Sequence, residues 1–356
     1  LLGGDRKAAL LTAVRPVGDN EVRLWGLTAR ERLERIAAAQ GMEVADDGEV
    51  EVDLGYAFDP AWLRFVAERP GHALTLGGKR VISNAGGGAA PVEVKWEESQ
   101  GIENNELRKR ERPFLDRLAP DTVRSLERAS YFGAYKGVTD LLTKYLWPEW
   151  ALVLTRIAAR WRISPNQVTL VGALLCVLAT WLFWIGWYWT GLAAGLAFMV
   201  LDTVDGKLAR CTITSSKWGE AFDHGIDLIH PPFWWYAWEV GLVRYGCPLA
   251  PDLFWGSFWV IVAGYVVQRA IEGAFILLFK MHIHVWQRFD SRFRLVTARR
   301  NPNMAILVAS LLIGRPDWGI VGVAAWTGLC LVVHSVRLLQ AMAERARGRE
   351  VKSWLA

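Results

Sequence analysis

LDTVDGKLARCTITSSKWGEAFDHGID, residues 201–227, lies between strongly apolar stretches and decides how the whole chain is read. It has the form D-x2-D-G-x2-A-R-x8-G-x3-D-x3-D, with acids at Asp202, Asp205, Asp223 and Asp227. An ionised Asp in the middle of a membrane helix costs about 2.5–3.5 kcal/mol on insertion scales, so four of them near helix ends call for a compensating charge. A bound metal supplies one. On helices, Asp202 and Asp205 are spaced i,i+3 and Asp223 and Asp227 i,i+4, so each pair projects from one face, and two facing helices bring the carboxylates together. Oxygen ligands without a His or Cys partner favour a hard cation, Mg²⁺ first and Mn²⁺ or Ca²⁺ next, shared with phosphate oxygens.

The small residues extend this reading. Gly206 and Ala209 follow Asp202 at i+4 and i+7, leaving a strip of bare backbone where a flat group such as a nucleotide can lie close; Gly219 does the same on the next helix. Arg210 adds a planar donor fork suited to phosphate. Scattered Asp residues at helix ends are usually N-caps or solvated charges. Eight positions at fixed spacing within an apolar region outweigh that alternative.

The 356 residues carry a net charge of +5, and the chain divides near residue 140. Charged residues and Gly are frequent before that point, and long apolar runs follow one another after it. We read six spans, roughly 166–186, 188–210, 219–244, 253–279, 303–316 and 318–341. Cations cluster after the second, fourth and sixth spans, while connections such as WIGWYWTG and GRPDWG hold almost none. By the positive-inside rule both termini and the acidic motif face the cytoplasm. The basic excess then reads as attraction to anionic lipid rather than nucleic acid.

Ahead of the first span, KGVTDLLTKYLWPEWALVLTRIAARWRI has the spacing of an amphipathic helix lying on the membrane surface. Ser164-Pro165-Asn166 after it is ordinary helix-start chemistry. Arg299 and Arg300 precede Asn301-Pro302-Asn303, where a helix N-terminus and two guanidiniums can hold an anion such as a phosphate group. His282 and His284, at i,i+2, point apart on a helix and suit interfacial packing; His224 and His230 read as structural or supporting residues. The four cysteines lack any C-x-x-C spacing, so neither a disulfide framework nor a zinc site is indicated. No signal peptide is visible in the opening residues.

In the first 140 residues, VRLWGLTARERLERIAAAQGMEV reads as strand or loop, helix capped by Thr28, then strand. Later segments alternate strand-like and helix-like patterns, and an α/β fold is the economical expectation. SNAGGGAAPVEVKWEESQGIENNELRKRERPF reads as a flexible linker passing into a polar helix. Asp53 and Asp59 suit surface or cap roles better than a metal site.

The eight-position pattern resembles the signature of the CDP-alcohol phosphotransferase family, and every position matches. The resemblance implies an integral membrane enzyme of six transmembrane helices that moves a phosphatidyl or phosphoalcohol group from a CDP-linked donor to an alcohol and releases CMP. By that likeness Asp202, Asp205 and Asp223 hold two divalent cations, Mg²⁺ or Mn²⁺, and Asp227 contacts the second metal or acts as general base. Asp202, Asp205, Gly206, Ala209, Arg210 and Gly219 line the CDP site, and the P-N-x-x-T opening of the first span adds Asn166. Residues 5–115 weakly resemble a shortened sugar nucleotidyltransferase without its Gly-rich nucleotide loop, a non-catalytic relic or regulator. The expected organisation is a small α/β cytoplasmic domain (1–115), a linker and helix (116–137), a six-helix membrane domain with its leading amphipathic helix (138–345) and a cytoplasmic tail (346–356). Such fusions favour CDP-diacylglycerol as donor and inositol phosphate or another polyol phosphate as acceptor, in phospholipid biosynthesis. Transfer of a CDP-linked head group to a lipid alcohol is the alternative, and a membrane transporter with buried carboxylates is the rival of another class. The expected location is a bacterial inner (cytoplasmic) membrane, and the family's habit allows a homodimer.

Overall fold

The computed structural model describes residues 12–86, 90–104 and 107–356, leaving aside the side chains of Ile102, Glu103, Lys217, Glu220, Asp223 and His224. An amino-terminal α/β region leads, with β1 (Ala13–Val17), α1 (Ala29–Ala39), β2 (Glu43–Val44), β3 (Val50–Asp53), β4 (Tyr56–Phe58), α2 (Pro60–Ala67), β5 (His72–Leu76), β6 (Lys79–Asn84), β7 (Val92–Lys95), β8 (Ile102–Asn104), β9 (Lys109–Glu111) and β10 (Leu115–Arg117). The main sheet has the order β2-β1-β3-β6-β5-β7, and β4–β10 and β8–β9 form two-stranded ribbons. β1 runs parallel to β2 and β3, whereas β6 is antiparallel to both β3 and β5.

Local chemistry accounts for these elements. Thr28 accepts from the Glu31 amide at 3.2 Å while the Glu31 carboxylate accepts from the Thr28 amide at 2.7 Å, the reciprocal cap expected at the start of α1. Leu33, Ile36 and Ala37 recur at helical spacing and are buried under the sheet, where Val50 and Val52 alternate inward on β3. Asp59 caps α2 through the Ala61 amide at 2.9 Å, and Asp53 accepts from Gly55 in a turn. Both acids therefore have the structural roles expected of them.

The linker reading of residues 83–114 needs correction. VEVK, IEN and KRE form β7, β8 and β9; alternating β-branched and charged residues outcompete the flexibility that the glycines suggest. Of those glycines, Gly87 and Gly88 lie outside the described residues. The polar helix comes later, as α3 (Val123–Gly133).

The surface-helix segment is two helices, α4 (Leu141–Tyr145) and α5 (Pro148–Arg160), because Pro148 has no amide hydrogen to continue the first and suits the first turn of the second. Then follow α6 (Pro165–Trp184), α7 (Tyr188–Cys211), α8 (Lys217–Tyr245), α9 (Pro251–Phe279), α10 (Arg288–Phe293), α11 (Arg300–Leu312) and α12 (Pro316–Ala346). Six of these stand where the six spans are expected. Among the described residues, α6, α9 and α12 are long and apolar enough to cross a membrane. Asp202, Asp205, Lys207 and Arg210 make α7 too polar to join that group, and α8 carries the remaining acids. At 13 residues, α11 reaches about 20 Å, short of the roughly 30 Å hydrocarbon core.

Two buried cores organise the molecule. One unites the α/β region with the helices: Leu24, Trp25 and Leu33 share it with Ala151, Leu152 and Ala158 of α5, Val168 of α6, and Val204, Leu208 and Cys211 of α7. The apolar face of α5 thus packs inward. Trp150, Val153, Ile157 and Trp161 point outward from the same helix, as a membrane-facing surface requires. The second core lies among α6, α7, α8, α11 and α12 and is built on Phe183, Tyr188, Trp234 and Trp238. Gly241 lets α8 meet the α6–α7 turn, since a Cβ there would lie 1.9 Å from the Phe183 carbonyl oxygen. The outer faces carry large apolar side chains such as Leu174, Val177, Trp181, Leu277 and Leu329.

Candidate active site at the α6–α9 and α11 junction

The polar half of α7 borders a cavity of about 830 Å³, and every described residue of the acidic signature lines it: Asp202, Asp205, Gly206, Ala209, Arg210, Gly219 and Asp227. Asn166, Arg299 and Arg300 line the same cavity. Asp223 lies on α8, but its side chain is outside the described residues.

Each acid is held by a specific neighbour. Asp205 is 3% exposed and accepts from the Thr169 hydroxyl at 2.6 Å, so α6 fixes the acid of α7. Asp202 and Asp227, from α7 and α8, converge on one guanidinium: Arg300 donates to Asp202 at 2.7 Å and to Asp227 at 2.6 Å. Arg300 also lies over the Phe198 ring, 4.8 Å from its centroid.

The position of Asp227 follows from two prolines one helical turn later. Pro231 and Pro232 have no amide hydrogen, which frees the carbonyls of Asp227 and Leu228 from their usual i+4 donors. The Tyr265 hydroxyl of α9 approaches both, at 3.4 and 3.3 Å. The break in hydrogen bonding therefore ties the acid-bearing part of α8 to α9.

The glycine strip behaves as a place of close approach. A Cβ on Gly219 would stand 3.0 Å from the Asn166 carboxamide oxygen, and one on Gly206 would stand 3.1 Å from the Arg210 guanidinium. Arg210 Nε is buried with no partner among the described residues.

The far end of the cavity is cationic. Arg299 donates to both oxygens of Glu272 at 2.5 and 2.6 Å, and Arg269 donates to the same carboxylate at 2.6 Å. Arg299 and Arg300 thus serve different ends of the cavity, although they adjoin in sequence. Arg108 and Arg294 join that end. His282 and His284, expected only to pack, line it too, because they stand in a short loop between α9 and α10 rather than on a continuous helix. Burial, reinforced by Arg108, lowers His282 to about 4. Burial also holds His284 well below the usual histidine range, outweighing its Glu272 partner. Both rings are neutral at pH 7. His230 packs between Phe198 and Trp234 and bonds the Ile226 carbonyl at 2.7 Å, a structural role.

Among the described residues no three His, Cys, Asp or Glu side chains converge as a ready-made metal cage. The donor chemistry suits a divalent cation all the same: two carboxylates from different helices already meet on a single positive group, and a third, Asp205, lines the same cavity.

The fold and the cavity define a helical membrane-type protein whose polar site combines carboxylates, bare backbone and guanidiniums, the equipment for phosphate chemistry. A family profile described as CDP-alcohol phosphatidyltransferase matches residues 162–333. Cholinephosphotransferase 1 of Gallus gallus is 36% identical over 129 residues, covering 33% of this chain and 36% of the relative. Choline/ethanolaminephosphotransferase 1 of Arabidopsis thaliana is 34% identical over 155 residues, covering 40% and 36%. The chain spans about a third of the length of the curated relatives it matches.

Sequence reasoning missed Arg108, Tyr265, Arg269, Glu272 and Arg294. Arg269 and Glu272 did leave a signal, an i,i+3 charge pair far from the ends of a largely apolar helix of 29 residues. Arg108 left none, because its place depends on how the α/β region docks.

Proposed function

We propose that this chain is a membrane-bound CDP-alcohol phosphotransferase of phospholipid biosynthesis, transferring a phosphate-linked group from a CDP-alcohol to an alcohol acceptor and releasing CMP. The observation that carries the reading is the gathering of seven of the eight signature residues around one cavity. Asp202, Asp205, Asp223 and Asp227 would hold two divalent cations, Mg²⁺ or Mn²⁺, which neutralise the donor pyrophosphate and improve CMP as a leaving group. Gly206, Ala209 and Gly219 leave room for the cytidine, and Asn166 and Arg210 hold donor phosphate oxygens. Asp227 takes the proton of the acceptor hydroxyl as its oxygen bonds to phosphorus and the bond from phosphorus to the CMP oxygen breaks. The five long helices α6, α7, α8, α9 and α12 cross the bilayer in this reading and the shorter α11 enters it, with the acids opening toward the cytoplasm.

Two donor–acceptor pairings have support. The named relatives point to transfer of a choline or ethanolamine phosphate group to a lipid alcohol. The cationic end of the cavity favours an acceptor that bears its own phosphate, such as a polyol phosphate, with CDP-diacylglycerol as donor. CMP release by the purified chain in Mg²⁺ or Mn²⁺ tests both: CDP-choline or CDP-ethanolamine with diacylglycerol, against CDP-diacylglycerol with inositol phosphate or glycerol phosphate. Turnover of any pair that is lost in Asp202→Asn supports the reaction class. Absence of both CDP binding and CMP release overturns it.

A further inference from the structure

The cationic end of the cavity is incomplete without the amino-terminal region. Among the described residues, its guanidiniums, Arg108, Arg269, Arg294 and Arg299, face two carboxylates, Glu272 and Asp140. Glu272 is already engaged by both Arg269 and Arg299, and Asp140 caps α4 and accepts from Asn301 at 3.2 Å. Arg294 is 6% exposed, and its Nε and Nη1 have no partner among the described residues. Arg108 Nε is likewise buried without one. Buried positive charge in excess of its counter-charge is destabilising unless an anion joins it.

Arg108 is delivered to this place by specific local structure. It sits in the turn between β8 and β9 with a φ of +52°, a conformation that side chains adopt rarely. The hairpin is anchored on both sides of it. The Leu107 carbonyl accepts from the Gly137 amide at 2.8 Å. The Lys109 ammonium donates to the Phe132 and Gly133 carbonyls at the end of α3, at 3.2 and 2.6 Å. Gly137 permits the approach, since a Cβ there would lie 2.6 Å from the Lys109 Cβ and 2.7 Å from the Arg108 carbonyl oxygen. Burial, followed by the neighbouring Arg299, lowers Arg108 to about 10, so it stays charged at neutral pH.

We propose that Arg108, supplied by the amino-terminal α/β region, completes with Arg294 an anion subsite that selects acceptor alcohols bearing a phosphate group. The proposal rests on the phosphorylated-acceptor reading and adds to it that the leading region is a working part of the site. An arginine from the amino-terminal region makes acceptor choice depend on docking of that region, which the shared core around Val204 and Leu208 secures.

The test is a titration of the detergent-solubilised full chain with inorganic phosphate in EDTA, where the signature carboxylates repel anions and the guanidinium end alone attracts them. The wild type is expected to bind phosphate saturably. Arg108→Ala should weaken that binding about ten- to hundredfold, the effect of losing one charge-assisted hydrogen bond, and Arg108→Lys should restore part of it. Gly137→Ala, which displaces the hairpin while retaining the arginine, should also weaken it. CDP affinity in Mn²⁺, measured on the same samples, reports whether the donor end is intact. Unchanged phosphate affinity in Arg108→Ala, or no phosphate binding by the wild type, overturns the subsite. Loss of CDP binding in the wild type overturns the functional reading instead.

Discussion

Arg300 occupies the position of a counter-cation, and replacing it by alanine should change how the protein responds to metal. In the structure it donates to Asp202 at 2.7 Å and to Asp227 at 2.6 Å. The arginine side chain is 11% exposed, Asp202 18% and Asp227 44%. A buried charge-assisted hydrogen bond contributes about 1.5–3 kcal/mol, and the more exposed Asp227 contact, screened by solvent, contributes about 0–1 kcal/mol. Arg300→Ala should therefore destabilise the metal-free protein by about 1.5–4 kcal/mol. A divalent ion bound between the carboxylates takes over the neutralising role, so most of that loss should vanish in saturating Mn²⁺. The linked consequence is tighter metal binding: the variant need not break two bonds first, and at about 1.4 kcal/mol per factor of ten its Mn²⁺ affinity should rise at least about tenfold. Electron paramagnetic resonance of free Mn²⁺ gives the affinity, and thermal unfolding in EDTA and in Mn²⁺ gives the stabilities. Equal or weaker Mn²⁺ binding by the variant would refute the idea that Arg300 and the metal compete for the same carboxylates.

Further outcomes follow from other contacts. Arg32, 5% exposed, donates to the Cys211 carbonyl at 3.1 Å at the end of α7 and to the Phe58 carbonyl at 3.3 Å; Arg32→Ala should cost about 2–4 kcal/mol and speed proteolysis of the β6–α3 segment as the α/β region loosens from α7. Gly241→Ala forces a Cβ to within 1.9 Å of the Phe183 carbonyl oxygen, so the α6–α8 contact must shift, and the thermal midpoint should drop by the equivalent of about 1–3 kcal/mol. His282 is held at about 4 against 6.5 for the free group, so between those values the unfolded chain binds more protons than the folded one; stability should fall as pH falls from 6.5 toward 4, and His282→Gln should flatten the slope of stability against pH in that window. Asp227→Asn should lower kcat more than it weakens CDP binding, as expected of a base; equal losses in both would assign Asp227 to donor binding alone.

The site was legible because its chemistry is compressed into one stretch of chain. Fixed spacing on α7 and α8 carries Asp202, Asp205 and Asp227 to one cavity, and the P-N-x-x-T opening of α6 places Asn166 beside Gly219 and Thr169 against Asp205. Of the cationic end only Arg299 was legible, because Arg108, Arg269 and Arg294 come from three separate elements and meet it only through tertiary packing. Helix positions followed from apolar runs, the short α11 included, yet hydropathy could not reveal that Pro148 divides the segment ahead of α6. In the α/β region the capping signals of α1 and α2 were readable in Thr28 and Asp59. The strands of residues 92–111 were masked by neighbouring glycines and dense charge, whose effect on local propensity is opposite to that of the pairing they finally adopt.

The central claim is that the aspartates of α7 and α8 bind a CDP ester through divalent cations. Calorimetric titration of the solubilised full chain with CDP, with and without Mn²⁺, tests it most directly. Saturable binding is expected in Mn²⁺, with loss in EDTA and loss in both Asp202→Asn and Asp205→Asn. CDP binding that is equally tight in EDTA, or undiminished in those variants, would contradict it.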